Sequence, residues 1–357
     1  MTLTVGIIGC GRMGQQYVEV YDRLADTEVI AIAEIHADRR RVVGERFGVD
    51  ALYADAAELF AHVTPDLAVV VLPGKYIRDA VIAAARAGVK GVSTDKPIGA
   101  VPADVDAMVE ACAEAGTVFA GGNLQRAMTE VQQAAARLRS GEFGPVIGAS
   151  VHGFGGEISG GGCQHIAVLR LLAGAEITEV VAWGEPEEAL HRDVDEGLLI
   201  NGQFRLSNGV VCPVYAHPTP LRGVDVWTAT TLVRWDWAPP QIFQGFDESG
   251  HRLEIDPAYT PADYPEYTYL GTTIQSFVDV VQRGLEYEEE LFVSGRDLGM
   301  SMEVAIAAKH SALWGSVPVS LPLVDRSLTL YPRTYRWLGG DEDNLPQPLE
   351  EAAGTKA

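Results

Sequence analysis

The sequence predicts an α/β chain, with a doubly wound parallel sheet at the amino-terminal end followed by an α+β unit on a large, mostly antiparallel sheet. Three observations carry this expectation. Over the first third, short apolar runs alternate with amphipathic stretches, the rhythm of a parallel sheet covered by helices on both faces. From Val146 onward the segments lengthen and fill with β-branched and aromatic residues, with turn signals such as Ser207-Asn208-Gly209 between them, as an antiparallel sheet requires. A chain of 357 residues, 47% of them hydrophobic, also exceeds what one core usually organises. We therefore expect a first domain over residues 1–123, a second over 124–337 and a polar tail at 338–357.

In the first unit the strands fall at Thr4 to Ile8, Val29 to Ala33, Leu67 to Leu72, Gly91 to Thr94 and Val118 to Gly121. Helices at Met13 to Leu24, Asp38 to Phe47, Tyr76 to Ala87 and Ala103 to Ala115 separate them, each with apolar residues three and four apart. In the second unit Gly197 to Leu206, Val210 to Tyr215 and Val226 to Trp237 read as strands. Helical spacing returns at His165 to Leu172, Gly271 to Arg283 and Leu298 to Leu313.

Composition narrows the function. Lys and Arg number 27 against 49 Asp and Glu, a net charge of −22 that repels phosphate backbones and anionic lipid heads, so neither nucleic acid nor a membrane is an expected partner. The acidic run Glu286 to Glu290 reads as solvated charge. Cys10, Cys112, Cys163 and Cys212 lie far apart, with no Cys/His cluster, which suggests no disulfide framework and no metal site. With no basic leader and no apolar run of roughly 18 residues, a cytoplasmic protein is expected.

The segment Val5-Gly-Ile-Ile-Gly9-Cys-Gly11-Arg12-Met13-Gly14 places GxGxxG between a strand and a helix. Gly9 permits the tight turn, Gly11 lets the backbone approach a pyrophosphate, and Gly14 allows close helix packing, while the helix-start amides face the phosphate charge. Glu34 follows Gly14 by 20 residues at the end of the second strand, where an acid reaches the ribose hydroxyls of a dinucleotide. The reading is a Rossmann unit binding NAD. Glu34 would repel a 2′-phosphate, although His36, Arg39 and Arg40 nearby leave NADP open.

Asp95-Lys96-Pro97, after the fourth of these strands, resembles the Glu-Lys-Pro mark of the glucose-fructose oxidoreductase and inositol dehydrogenase (Gfo/Idh/MocA) superfamily. Leu72-Pro73, Arg126, Gly141-Glu-Phe-Gly-Pro-Val146, Gly160-Gly-Gly162 before His165, Phe292-Val-Ser-Gly-Arg-Asp-Leu and Ser311 to Pro322 are similar to the same family, so the resemblance covers Thr4 to Pro322. It implies an NAD(P)-dependent oxidoreductase moving a hydride to or from a carbinol or carbonyl carbon of a sugar, cyclitol or related polar small molecule. It also implies that Lys96 sits beside the nicotinamide and His165 works at the reacting hydroxyl. One departure stands out. Inositol-oxidising members usually carry an Asp four residues before the histidine, and here that position is Gly161, with Cys163 in place of a glycine and Val168 in place of a later acid.

The chemistry supports both candidates independently. An imidazole titrating near neutrality can take or return a hydroxyl proton, and an ammonium beside the oxygen stabilises developing alkoxide charge. Around them Pro73 and Asn123 are expected at the cofactor, and Arg126, His152 and Gln164 at the substrate. Arg126 could instead join the domains by a salt bridge, and His152 could form a cross-strand pair. Tyr76 could donate a proton from the cofactor border. Tyr264, Tyr267 and Tyr269 could line a sugar face or pack the sheet, with packing preferred, and Asp193 and Asp195 look like turn residues. The loss of the Asp keeps two alternatives open, a ketone or cyclic imine reductase and a non-catalytic dinucleotide-binding regulator. A strand-rich second domain carrying Trp227, Trp235 and Trp237 would leave one face bare, so a homodimer or homotetramer is expected.

Overall fold

The structure is a computed structural model and describes residues 2–122, 124–261 and 268–339. Asn123, Tyr264, Tyr267 and the acidic tail from 340 onward lie outside the described residues.

The first sheet is wholly parallel and is built from β1 (Leu3–Ile8), β2 (Thr27–Ala33), β3 (Leu52–Tyr53), β4 (Leu67–Val70), β5 (Gly91–Thr94) and β6 (Val118–Ala120), in the spatial order β3-β2-β1-β4-β5-β6. Helices α1 (Arg12–Arg23), α2 (Ala37–Phe47), α3 (Ala56–His62), α4 (Gly74–Ala87) and α5 (Pro102–Ala115) connect them. The short β3 and α3 have no counterpart in the sequence reading, because two strand residues carry no period to detect. Burial on both faces explains why β4 and β5 read as continuous apolar runs, since each of their residues is buried.

After α6 (Thr129–Arg139) the chain builds the second sheet. Its strands are β7 (Gly148–His152), β8 (Ile177–Glu185), β9 (Leu199–Leu206), β10 (Val211–Tyr215), β11 (Gly223–Trp227), β12 (Thr231–Trp235), β13 (Gln241–Phe246), β14 (Arg252–Ile255) and β15 (Val319–Ser320), ordered β14-β13-β12-β11-β7-β10-β9-β8-β15. All neighbours are antiparallel except β7 and β10. Helix α7 (Cys163–Ala173), entered through a π-turn at Ile158–Gly162, and the long α10 (Gly295–Leu313) cover the inner face. A capping box between Ser294 and Asp297 starts α10. The short α8 (Glu187–Leu190) follows β8.

Three sequence expectations change. The stretch Val226 to Trp237 is two strands, because Thr228 to Thr230 turn the chain back and Thr228 Oγ1 accepts the Thr231 N–H. The three tryptophans do not share a face: Trp235 alternates with Thr231 and Val233 toward the core and is fully buried, whereas Trp227 lies on the outer face against Gly148. Helix α9 (Thr268–Arg283) packs on the first sheet and not with the second, where Phe277 and Val281 fill the space a side chain at Gly91 would need. The final helix α11 (Thr334–Leu338) lies against the start of α4, with Trp337 over Gly74.

Among the described residues no helix is long and apolar enough to cross a membrane, and no cluster of three or more His, Cys, Asp or Glu could hold a metal ion.

Candidate active site

The chain leaves β1 through Gly9 at φ +92, where a β-carbon would stand 2.3 Å from the Val71 carbonyl oxygen. A β-carbon on Gly14 would stand 2.0 Å from the Gly9 carbonyl oxygen. Both positions therefore require glycine. Gly11 precedes α1, Arg12 and Met13 open it, and no acid occupies its first turn, so its free amides are turned toward the loop. Arg12 is exposed, while Met13 packs on the core below.

Glu34, 5% exposed at the end of β2, binds this loop directly. Its Oε2 accepts the Cys10 N–H at 2.8 Å, its Oε1 accepts the His36 N–H at 2.9 Å, and Arg39 Nη1 stands 3.5 Å from Oε2. Together with Gly9, Gly11, Arg39, Pro73 and Tyr76 it lines a cleft of about 990 Å³. Leu338 and Gly339 form its far wall, a contribution from the carboxyl-terminal segment that no sequence signal announces. A glycine cradle, free amides and a buried acid in one cleft fit the pyrophosphate and ribose of a dinucleotide.

Lys96 follows β5 at the carboxyl edge of the sheet, where ligands bind in open α/β folds. The buried Asp95 accepts the Lys96 N–H at 2.8 Å and so fixes the turn. Among the described residues no side chain pairs with the Lys96 ammonium. Its charge falls on the thiol of Cys163, as do those of Arg336, Glu157 and Asp95. Burial still dominates and pushes that thiol up to about 11, while Sγ donates to the Gly160 carbonyl at 2.9 Å.

His165 is 1% exposed, packed between Phe154, Trp235 and Trp237 at ring separations of 5.8, 5.2 and 5.7 Å. Burial pushes its imidazole down to about 4, and the charges of His152 and Arg222 act in the same direction. Nδ1 lies 3.0 Å from the Gly161 carbonyl, which can only accept, so Nδ1 carries the proton and Nε2 presents a lone pair with no partner among the described residues.

The other candidates divide. Arg126 forms the ion pair of its two expected roles: Nη1 meets Asp297 Oδ1 at 3.0 Å, and Arg170 shares that carboxylate at 3.2 Å. Gln164 turns its side-chain carbonyl to the Gln125 N–H at 2.6 Å, holding the segment after β6. His152 lies in a cross-strand group on the outer face of the second sheet, 3.4 Å from Asp225, whose carboxylate Arg234 also clasps. Tyr76 lines the nucleotide cleft from the first turn of α4. Tyr269 meets Gln125, and burial and the nearby Asp95 charge push its phenol up.

Asp195 opens a turn, its carbonyl accepting the Leu198 N–H at 3.2 Å, but its side chain is fully buried: Oδ2 accepts the Ser159 N–H at 2.7 Å, and burial pushes it up to about 6.

Residues 3–122 match the oxidoreductase family with an NAD-binding Rossmann fold. The chain is 27% identical over 330 residues to a myo-inositol 2-dehydrogenase of Thermotoga maritima, covering 87% of this chain and 96% of that one. It is 30% identical over 138 residues to a D-apiose dehydrogenase of Paraburkholderia graminis, a match spanning 39% of this chain and only 36% of that relative. Among solved structures it is similar to the aldose-aldose oxidoreductase of Caulobacter crescentus complexed with glycerol, with TM-score 0.75, 20% identity and coverage of 90% and 100%. A myo-inositol 2-dehydrogenase of Lactobacillus plantarum has TM-score 0.70, 18% identity and coverage of 90% and 99%. With its glycine loop and Lys-Pro turn, the segment 3–122 matches the NAD-binding Rossmann unit of the Gfo/Idh/MocA oxidoreductase family, and over most of its length the chain is similar to these dehydrogenases.

Proposed function

We propose that this protein is a dehydrogenase of a sugar, cyclitol or similar polyhydroxylated small molecule, working with NAD. The observation that carries the proposal is the carboxyl edge of the first sheet, where the cleft lined by Gly9, Gly11 and Glu34 opens and where Lys96 follows β5 with its charge acting on Cys163 at the start of α7. Several of the relatives named above are dehydrogenases of inositol and apiose, which favours a vicinal polyol over a ketone or imine.

When bound, the nicotinamide supplies the hydride acceptor or donor. Every other task belongs to the chain. Gly11 and the first amides of α1 hold the pyrophosphate, and Glu34 takes the ribose hydroxyls while it braces the loop. Lys96, without a side-chain partner among the described residues, places a positive charge where a carbinol oxygen becomes alkoxide-like. His165 is the proton acceptor, neutral at pH 7, its tautomer fixed by Gly161 and its Nε2 lone pair unused. The indoles of Trp235 and Trp237 pack edge-on against it.

The outer face of the second sheet carries Trp183 and Tyr215, each about half exposed, and Trp227 further along it, which supports a homodimer or homotetramer.

The test is a turnover screen of myo-inositol, aldoses, ketosugars and cyclic imines with NAD and NADP, read by absorbance of the reduced nicotinamide. Oxidation of a polyol supports the proposal. Tight nucleotide binding without exchange on any compound would move the assignment to a non-catalytic regulator.

A further inference from the structure

After β15 the chain crosses back to the first unit and runs along the start of α5. There the Ala103 N–H donates to the Arg326 carbonyl at 3.2 Å, and the Arg326 guanidinium clasps Asp106 through two bonds of 2.7 Å. The Leu330 N–H then donates to the Ala100 carbonyl at 3.1 Å, just past the Lys96-Pro97 turn. Tyr331 is held by the second unit: its N–H donates to the Asp193 carbonyl and its carbonyl accepts the Asp195 N–H, each at 3.0 Å. Arg333 and Arg336 add ion pairs to the buried Glu157, at 3.3 and 2.9 Å.

From this anchorage α11 reaches the nucleotide cleft. Trp337 packs over Gly74, the first residue of α4, where a β-carbon would stand 2.9 Å from its ring, and its ring lies 5.1 Å from that of Tyr331. A β-carbon on Gly339 would stand 2.9 Å from Pro73 Cγ. Leu338, between these two seats, is 47% exposed and lines the cleft. The same cleft holds Ile35, 78% exposed, directly after Glu34, together with the small side chains of Ala54, Ala57 and Ala80. Two large apolar side chains left in water within one concave, small-residue cleft suit a flat, largely apolar ring. The residues lining the cleft include Glu34 and the glycine loop and do not include Lys96, so this is the adenosine half of a dinucleotide site.

We infer that the segment Tyr331–Gly339 is a clasp on the adenosine half of NAD, in which Leu338 packs on the adenine ring and Trp337, seated on Gly74, positions it. The inference rests on the reading of this cleft as the NAD site. It adds to that site a segment outside residues 3–122, so release of the nucleotide breaks contacts with elements from both ends of the chain.

The decisive variant is Leu338→Ala, because a half-exposed side chain is removed without opening a core. NADH affinity, read by fluorescence titration, should weaken about fivefold, with the change appearing in the dissociation rate measured by stopped flow. ADP, which carries the adenosine half alone, should lose affinity by the same factor in calorimetry, and the melting temperature without nucleotide should match the parent's. Two truncations bracket the segment: a chain ending at Gly339 should bind NADH like the parent, and a chain ending at Arg333 should bind about tenfold more weakly. If the shorter chain does not fold, Leu338→Ala decides alone. Parental NADH affinity in Leu338→Ala, a loss for NADH that ADP does not share, or an equal loss in the chain ending at Gly339 overturns the inference and leaves the NAD site standing. A parent that binds neither NADH nor ADP overturns the NAD reading of the cleft and this inference with it.

Discussion

His165 donates its Nδ1 proton to the carbonyl of Gly161, 3.0 Å away and one helical turn back, so the residue that lacks the family carboxylate still fixes the imidazole through its backbone. A neutral imidazole suits that bond, and burial depresses the folded-state pKa to about 4 from 6.5. The unfolded chain therefore binds the proton first as pH falls, and the folded state loses stability between pH 6.5 and 4, by on the order of 3 kcal/mol. His165→Gln, which never charges, should show a flatter melting temperature across that window. Scanning fluorimetry from pH 7.5 to 4.5 decides it, and an equally steep fall in the variant would remove His165 as the source.

Asp195 works in the opposite direction. Its folded-state pKa is raised to about 6 from 3.8, so the folded state binds a proton more tightly than the unfolded chain, and stability is lost as pH rises from about 4 to 6. Asp195→Asn mimics the protonated acid, and its melting temperature relative to the parent should improve with rising pH over that window. A constant offset would show that the carboxylate is ionised throughout.

Lys96→Ala should keep the fold and lose rate. The side chain is unpaired among the described residues, so its removal strands no buried partner, whereas one charge on a developing alkoxide is worth on the order of 3 kcal/mol, or roughly 10²-fold in kcat. Circular dichroism and steady-state kinetics separate these outcomes, and parental turnover would displace Lys96 from the centre.

Glu34→Ala should shift the ratio of kcat/KM for NAD over that for NADP downward by about tenfold, through lost ribose hydrogen bonds and lost repulsion of a 2′-phosphate. It should also lower the melting temperature, because the amides of Cys10 and His36 lose their acceptor, at about 1–3 kcal/mol in total. An unchanged cofactor ratio with the expected loss of stability would reduce Glu34 to a brace for the loop.

The parts legible in the sequence are those written in neighbouring residues. The Gly9–Gly14 loop, Glu34 and the Lys96-Pro97 turn are local, and strand burial imposes an apolar run whatever lies above it. Trp235 was misplaced for lack of one turn: once Thr228 to Thr230 reverse the chain, alternation sends Trp235 inward with Val233. The docking of α9 on the first sheet is not legible, since an amphipathic face records that a helix is covered and not by what. Glu157, Arg333 and Arg336 come from opposite ends of the second half and meet only through the crossing of the last segment over the cleft. Asp195 looked like a loop acid because nothing in its neighbourhood encodes the π-turn it supports.

The return of α9 to the first sheet sets a limit on how this protein can be dissected. Residues 3–122 carry the nucleotide motifs, yet Val118, Ala120 and Leu67 share a core with Ile274, Phe277 and Val281 of α9. A fragment cut at residue 122 would be born with an open apolar flank and would aggregate. The nucleotide unit is discontinuous in the gene, so any graft of a new substrate half onto this scaffold must carry Thr268–Arg283 along with the amino-terminal third.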